Sequence, residues 1–164
     1  MSKTITYSGK NIDLYNLKTD DIDIIDISYG LSNIPRFAGQ VPFYSVALHS
    51  IEVSKIVPDH LKMSALLHDA TEAYIGDIIA PIKYKMYHYL ELEDYIMSII
   101  IKKWQINPYD LFVKNADKRC LENEKVRLFY NNNFRNECQE NTNKEFLDLY
   151  NKYKTLNSLI KNDK

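Results

Sequence analysis

The sequence predicts an all-α fold with one small β-hairpin at the N-terminus. Apolar residues recur at helical spacing over most of the chain, whereas strand-like alternation around a glycine-containing turn occurs only near the start. With 164 residues, of which 45% are hydrophobic and 26% charged, the chain has the size and composition of one globular domain. We expect a single domain over residues 1–164, with a hairpin extension at 1–18, a core at 19–130 and a C-terminal helix at 131–164.

Charge and composition argue against several classes of function. A formal net charge of −1 at pH 7 lacks the basic excess that is usual in nucleic-acid-binding proteins. The N-terminus has no apolar segment typical of a signal peptide, and the apolar run Ile96–Ile101 is too short to span a bilayer. Cys120 and Cys138 lack CxxC spacing and are expected to be reduced thiols. These features predict a cytoplasmic protein with no nucleic-acid or membrane partner.

The first elements are the hairpin and one helix. Thr4–Tyr7 and Ile12–Tyr15 alternate on either side of Ser8–Asn11, which indicates two strands joined by a turn. A helix then follows with Thr19 or Asp20 as its N-cap. The start of that helix also alternates like a strand, but three apolar residues keep helical spacing and favour a helix: Ile24, Ile27 and Leu31.

Two helices are expected in the middle of the chain. Pro42 suits a first helical position, so the second helix is predicted from Pro42 to about Val57. Its buried stripe combines a histidine with four apolar residues: Val46, His49, Val53, Ile56 and Val57. The third helix is predicted from about Asp59 until Gly76 ends it.

Three further helices are expected towards the C-terminus. One runs over 85–103, and a second starts with Asn107 as its cap and Pro108 as its first residue, and continues to about Tyr130. The buried face of this second helix contains Asp117 among apolar residues: Phe112, Val113, Ala116, Cys120 and Leu121. The last helix, over about 143–160, turns Phe146, Leu147, Tyr150, Tyr153 and Leu156 inward. Because this face could serve as core or as interface, a homo-oligomer remains an alternative.

Four acidic or imidazole side chains lie close together in the segment Ala65–Asp77. His68 and Asp69 are adjacent, Glu72 follows His68 by four residues, and Asp77 follows Glu72 by five. If this segment is one helix, His68 and Glu72 lie on the same face, one turn apart. Such a cluster suits a divalent metal with an acid/base partner, but two ligands leave the metal under-coordinated.

His49 and Asp117 are candidates for the missing ligands. Both are polar residues on apolar helical faces, and burying either without a partner costs several kcal/mol. Each alone is better explained by a structural role, as a hydrogen-bonded core histidine or an ion-paired aspartate. Together with His68 and Asp69 they form a mixed nitrogen and oxygen set suited to Zn²⁺, Co²⁺, Mn²⁺ or Fe²⁺.

The order His49, His68-Asp69, Asp117 resembles that of the HD-domain metal phosphohydrolases. The segment from Ala65 to Asp77, continued by Pro81 and Lys83, is similar to the HD-x-x-E-x-x-x-x-D block of 5′-deoxynucleotidases and small phage-type deoxynucleotide triphosphohydrolases. Arg36-Phe37 and the segment 44–50 resemble the Arg-aromatic pair and the Val-x-x-His-Ser segment of the same enzymes. The resemblance covers roughly residues 20–130, which would then be the catalytic core. Leu48 departs from it, because many relatives carry glutamate there.

The resemblance implies a role for each of the remaining site residues. Glu72 would act as general acid or base, and Asp77 would orient water or protonate the leaving oxygen. Arg36 would bind phosphate through its planar fork of donors. Lys83 and Lys114 are further candidates for phosphate binding, and Phe37 is a candidate for stacking on the base. For each of these residues an ordinary surface or core role is the alternative.

The implied activity is metal-dependent hydrolysis at the α-phosphorus of (2′-deoxy)nucleoside 5′-phosphates. The compact size favours a dATP or deoxynucleotide triphosphohydrolase that releases tripolyphosphate, and a 5′-deoxynucleotidase acting on monophosphates is the alternative. A cyclic-nucleotide phosphodiesterase would share the four metal ligands, and a non-catalytic nucleotide-sensing module would share the fold. The expected cofactor is one divalent ion (Zn, Co, Mn or Fe), and a triphosphate substrate would bring additional Mg²⁺ or Mn²⁺.

Overall fold

The fold is all-α with a two-stranded hairpin, as the sequence predicts. The computed structural model describes residues 3–131 and 137–162. Strands β1 (Lys3–Ile5) and β2 (Asn11–Asp13) are antiparallel, with Thr4 opposite Ile12. The helices are α1 (Ile24–Asn33), α2 (Val46–Lys55), α3 (Lys62–Leu66), α4 (Glu72–Ile75), α5 (Ala80–Lys83), α6 (Tyr87–Trp104), α7 (Leu111–Lys125) and α8 (Gln139–Asn162).

The hairpin is fastened to the first helix by Asp26. The Asp26 carboxylate accepts hydrogen bonds from the Ser8 backbone N–H at 2.6 Å and from the Ser8 hydroxyl at 2.9 Å. The N-cap of α1 is Asp23, whose side chain accepts from the Ile25 N–H at 3.0 Å. The predicted caps Thr19 and Asp20 are therefore wrong, because both lie in a separate 3₁₀ turn. The strand alternative for this segment is also wrong.

Helix α2 begins four residues later than predicted. Ser45 is its N-cap, and the Ser45 hydroxyl accepts from the Leu48 N–H at 3.1 Å. Pro42 cannot start the helix, because Tyr44 and Ser45 are held in extended backbone by pairing with the segment around Pro35. Ile56 lies beyond the end of α2 and is 45% exposed, so its predicted place in the buried stripe is wrong.

Helix α7 is also displaced from its predicted start. The N-cap is Asp110, which accepts from the Phe112 N–H at 2.9 Å, rather than Asn107. Phe112 is 62% exposed instead of buried, because it lies one position before the inward residue Val113. The α-helical part of this element ends at Lys125, and a π-helical turn follows over 126–130.

The single helix that was predicted to run through His68 is interrupted by a turn that contains this residue. Helix α3 ends at Leu66, and a non-helical turn over 67–71 separates it from α4. The turn is closed by short-range bonds from the Ala70 N–H to the Leu67 carbonyl (3.2 Å) and from the Glu72 N–H to the Asp69 carbonyl (3.0 Å). His68 and Glu72 therefore do not share a helical face, and their proximity depends on this turn.

Two apolar clusters hold the helices around this turn. The main cluster is built chiefly from α1, α2, α3, α6 and α8, with fully buried residues such as Ile27, Leu31, Ile96, Ile100 and Phe146. A second cluster joins α2 and the following segment to α7: Val53, Val57, Leu61, Ala65, Val113, Ala116 and Cys120. Within the described ranges, no helix is long and apolar enough to cross a membrane. The domain limits at residues 18 and 130 stay a prediction.

Candidate metal centre

Three of the predicted ligands come together from separate elements. His49 lies on α2 and is fully buried, His68 lies in the turn after α3, and Asp117 lies on α7. One ligand atom from each lies within 4.8 Å of the others. The His49 Nε2 atom is 3.1 Å from the Asp117 Oδ1 atom, and the His68 Nε2 atom is 3.9 Å from it. This group could hold a metal ion.

Asp69 faces the same space from the turn. Its Oδ2 atom lies 3.2 Å from His68 Nε2 and 3.7 Å from His49 Nε2. All four predicted ligands are therefore neighbours, although the single helix expected to carry His68 and Asp69 is broken. Tertiary packing of α2 and α7 against the turn assembles the group.

The two imidazoles have the chemistry that a metal requires. The Nε2 atoms of His49 and His68 are buried and have no hydrogen-bond partner among the described residues, which is unusual for buried polar atoms. The His68 Nδ1 atom lies 2.8 Å from the Ala65 carbonyl, which can only accept, so Nδ1 must carry the proton. In the neutral imidazole of His68, the Nε2 lone pair is then directed at the carboxylates. Unpaired imidazole nitrogens beside two carboxylates fit a divalent transition metal.

Electrostatics in this group favour ionised carboxylates. Burial raises the pKa of the Asp69 and Asp117 carboxyls, but the adjacent His49 and His68 imidazoles lower both pKa values below the usual range. Burial lowers the pKa of His68, but the two aspartates raise it well above its ordinary value. Without a metal, the aspartates and a protonated His68 therefore stabilise one another.

Glu124, which the sequence reasoning missed, lies directly behind His49. Its Oε1 atom is 2.6 Å from the His49 Nδ1 atom, and its side chain is fully buried. A carboxylate behind a ligating imidazole orients the ring and favours the tautomer with a free Nε2. The sequence does indicate that Glu124 is buried, because it follows Cys120 by four residues and so continues the buried stripe of α7.

Glu72 and Asp77 lie beside the ligands in a form suited to proton transfer. Glu72 is 6% exposed, and within residues 3–131 and 137–162 its Oε2 atom has no hydrogen-bond partner. Burial, followed by the negative charges of Asp69 and Asp77, raises the pKa of Glu72 well above its ordinary value. Burial also raises the pKa of the partly buried Asp77. A carboxyl whose pKa is raised in this way retains its proton to higher pH and is suited to act as a general acid.

Arg36 reaches the centre from the loop before α2. Its Nη1 atom lies 3.8 Å from the Asp69 Oδ2 atom, and its side chain is 11% exposed. Phe37, which follows it, adopts a left-handed backbone with φ 56° and packs edge-on against Phe129 at 5.3 Å between ring centroids. A non-glycine residue in this conformation next to a site residue is strained backbone of the kind found at functional sites.

The two lysines have different positions. The Lys83 Nζ atom lies 2.5 Å from the Glu93 Oε1 atom and 3.9 Å from the Glu72 Oε1 atom, so Lys83 is next to the site. Lys114 is exposed on α7, with its Nζ atom 5.6 Å from the centre of the Tyr109 ring. Tyr109 borders a cavity of about 180 Å³ beside the metal centre, lined by His68, Thr71, Glu93, Asp94, Met97 and Tyr109. Lys114 therefore lies next to Tyr109 at the rim of this cavity.

The fold and this group of residues define a helical protein with a candidate metal centre. The chain is 43% identical over 130 residues to the uncharacterized protein YfdR of Escherichia coli strain K12, a match covering 78% of this chain and 73% of YfdR. The chain therefore belongs to the YfdR family. It is also 36% identical over 104 residues to an uncharacterized protein of Rhodobacter capsulatus, spanning about half of that protein (53%). No protein-family model matches the chain.

Proposed function

We propose that this protein is an HD-domain, metal-dependent phosphohydrolase that attacks the α-phosphorus of (2′-deoxy)nucleoside 5′-phosphates. The observation that carries the proposal is that the buried Nε2 atoms of His49 and His68, which have no hydrogen-bond partner in the described part of the chain, face the Asp69 and Asp117 carboxylates. Glu72 and Arg36 beside them supply the proton-transfer and phosphate-binding groups of such an enzyme.

Each of the remaining site residues has a role in the proposed reaction. When bound, a divalent metal ion supplies Lewis-acid polarisation of a phosphoryl oxygen. Burial lowers the pKa of Arg36, but Glu124 and Asp69 raise it, so the guanidinium stays charged and can bind an anionic phosphate. Asp77 orients the attacking water and accepts its proton. Glu72 donates its proton to the 5′-oxygen as the bond from phosphorus to that oxygen breaks.

The products depend on the number of phosphates in the substrate. A deoxynucleoside triphosphate gives nucleoside and tripolyphosphate, and we favour this substrate class, with dATP first. A monophosphate gives nucleoside and inorganic phosphate by the same attack. The partner is then a small nucleotide in the cytoplasm, and Lys83 beside Glu72 is available for the additional phosphates.

Product analysis with isotopically labelled water tests the proposal. The purified protein is incubated with Mn²⁺, Co²⁺ or Zn²⁺ and a panel of nucleoside mono-, tri- and cyclic phosphates in ¹⁸O-labelled water. Attack at the α-phosphorus places the label in tripolyphosphate or phosphate, whereas the nucleoside remains unlabelled. Asp69→Ala should lose activity, and Asp148→Ala, which removes an exposed acid on α8, is the matched control.

Three other results would contradict the proposal. Turnover of cyclic nucleotides alone would indicate a phosphodiesterase. Formation of a nucleoside monophosphate with pyrophosphate would indicate cleavage of the bridge between the α- and β-phosphorus instead of the bond from the α-phosphorus to the 5′-oxygen. Tight nucleotide binding without turnover with any of the metals would indicate a sensing module rather than an enzyme.

A further inference from the structure

The two carboxylate oxygens of Glu124 contact different parts of the site. Oε1 lies 2.6 Å from the His49 Nδ1 atom and accepts a hydrogen bond from the Tyr44 hydroxyl at 3.2 Å. Oε2 accepts from the Arg36 Nε at 3.2 Å and lies 3.2 Å from the Arg36 Nη2 atom. One fully buried side chain thus joins a metal-ligand candidate to the phosphate-binding candidate.

A carboxylate suits this position because both of its oxygens accept hydrogen bonds. A carboxylate oxygen at 2.6 Å from His49 Nδ1 accepts a hydrogen bond from that nitrogen, so Nδ1 carries the proton and, in the neutral imidazole, Nε2 carries none. That Nε2 atom is 3.1 Å from Asp117 Oδ1.

Glu124 also determines which edge of Arg36 is available. Two of the three guanidinium nitrogens, Nε and Nη2, contact the Glu124 Oε2 atom. The remaining nitrogen, Nη1, points towards Asp69 at 3.8 Å. The free donors of Arg36 are therefore directed at the centre from a fixed position, which lowers the entropy cost of binding an anion there.

We propose that Glu124 is a positioning residue that sets the tautomer of His49 and the orientation of Arg36 together. Through it, the metal-binding and the phosphate-binding halves of the site are assembled as one unit. The phosphate half of this inference rests on the proposed function, whereas the metal half depends only on the His49 group.

Glu124→Gln cannot keep both contacts in their present form, because both carboxylate oxygens accept hydrogen bonds whereas an amide has one acceptor and one donor end. If the amide oxygen faces His49, the amide NH₂ faces the Arg36 guanidinium and two donors oppose each other. If the amide is reversed, its NH₂ meets His49 Nδ1 and forces the proton onto Nε2, where it blocks metal binding. No orientation of glutamine satisfies both Arg36 and a His49 imidazole that carries its proton on Nδ1.

The test uses metal binding and the histidine tautomer as readouts. We expect Glu124→Gln to weaken Mn²⁺ binding by about 10- to 100-fold in calorimetry, as is typical when such a carboxylate is lost. In ¹⁵N NMR of the metal-free protein, the wild type should show His49 protonated at Nδ1, and the variant should lose this signal. At saturating Mn²⁺, the KM for the nucleotide should also rise.

Glu52→Gln is the matched control. Glu52 accepts from the same Tyr44 hydroxyl at 3.0 Å and pairs with Arg127 at 3.1 Å, and neither contact involves His49 or Arg36. This variant should keep the wild-type Mn²⁺ affinity and the wild-type His49 signal. Arg36→Lys should keep the Mn²⁺ affinity while raising KM, because it leaves the contact between Glu124 and His49 in place.

The outcomes separate this inference from the proposed function. A folded Glu124→Gln protein with wild-type Mn²⁺ affinity and an unchanged His49 signal would overturn the positioning role. If Glu124→Gln does not fold, Glu124→Asp keeps the charge but shortens the side chain, and the same two readouts apply to it. Absence of nucleotide hydrolysis in the wild type would refute the enzyme, but the Mn²⁺ and NMR results would still decide the role of Glu124.

Discussion

At the scale of single residues, Glu72 and Glu124 show how surroundings set the protonation of a buried carboxyl. Burial raises the pKa of both, and the difference comes from their neighbours. Two aspartates, Asp69 and Asp77, raise the pKa of Glu72 further, whereas His49 and Arg36 lower that of Glu124. Carboxyls whose pKa values are moved apart in one site are suited to different tasks. In the proposed reaction, Glu124 is a fixed acceptor and Glu72 carries the proton.

Glu72→Gln should therefore lose turnover and keep the metal. The amide has the size of the carboxyl but cannot exchange its proton, so kcat should fall by about 10²–10⁴-fold. The Mn²⁺ affinity should stay near that of the wild type, since Glu72 is not among the proposed ligands. Steady-state kinetics and calorimetry measure the two effects, with Glu91→Gln, an exposed acid on α6, as control. A fully active Glu72→Gln protein would exclude the acid role.

The raised pKa of Glu72 also predicts how stability depends on pH in the metal-free protein. Between the ordinary glutamate pKa of 4.5 and the higher pKa in the folded protein, the folded state binds more protons than the unfolded state. The Glu72 contribution to the free energy of unfolding therefore falls as pH rises through this window. Urea unfolding at pH 5 and pH 7.5 should show Glu72→Gln gaining stability relative to wild type at the higher pH. A constant difference would contradict the raised pKa.

At the scale of elements, α1 controls the position of the short helix α4, which begins with Glu72. A Cβ atom added at Gly30 of α1 would lie 3.0 Å from both the Cβ and the carbonyl oxygen of Ala73, and 3.1 Å from its Cα. The two helices can approach this closely only because residue 30 is a glycine. The main chain of α4 is therefore held directly against α1.

Gly30→Ala should destabilise the fold and reduce turnover. Alanine in place of glycine favours a helix by about 1 kcal/mol, but overpacking against main-chain atoms typically costs about 1–3 kcal/mol. We expect a net loss of about 1 kcal/mol in urea unfolding, with a lower kcat because Glu72 moves with α4. Adding Ala73→Gly removes the contact between the two Cβ atoms and should restore part of both losses. Unchanged stability in the single variant would show that α4 moves freely.

The exact ends of the helices could not be predicted, because neighbouring residues suit the same helix-terminal positions equally well. Asp23 and Asp110 cap α1 and α7 although nearby Asp20 and Asn107 are equally good capping residues. The choice depends on tertiary contacts, as does the extended backbone that excludes Pro42 from α2. The turn over 67–71 was unpredictable for the same reason, since its residues have helical spacing but their hydrogen bonds are those of a turn.

At the scale of the whole molecule, the ligand candidates were predictable because they violate the burial pattern. His49 and Asp117 are polar residues on apolar faces, and such residues are retained in a core when they have partners. Residue type and periodicity therefore identified four neighbours that the structure brings together. Glu124 obeys the same rule but was missed, because no sequence motif drew attention to it. The contacts of its two oxygens depend on three-dimensional packing alone.

Because the candidate ligands come from separate elements, we expect a bound metal ion to stabilise the fold as a whole. His49, His68 and Asp117 come from α2, a turn and α7, so unfolding any of these elements destroys the site. An ion that binds only the folded chain raises the free energy of unfolding by about 2.7 kcal/mol at a free concentration of about 100 times its Kd. Urea unfolding with and without Mn²⁺ should show this increase, and EDTA should reverse it.

His68→Ala should abolish that Mn²⁺-dependent increase, whereas His60→Ala should retain it, because His60 is an exposed histidine outside the group. The comparison is made as the difference between the unfolding free energies with and without Mn²⁺ for each protein. This difference removes any direct cost of the substitution from the result. An equal increase in all three proteins would place the stabilising ion at a different site and refute the assignment of His68.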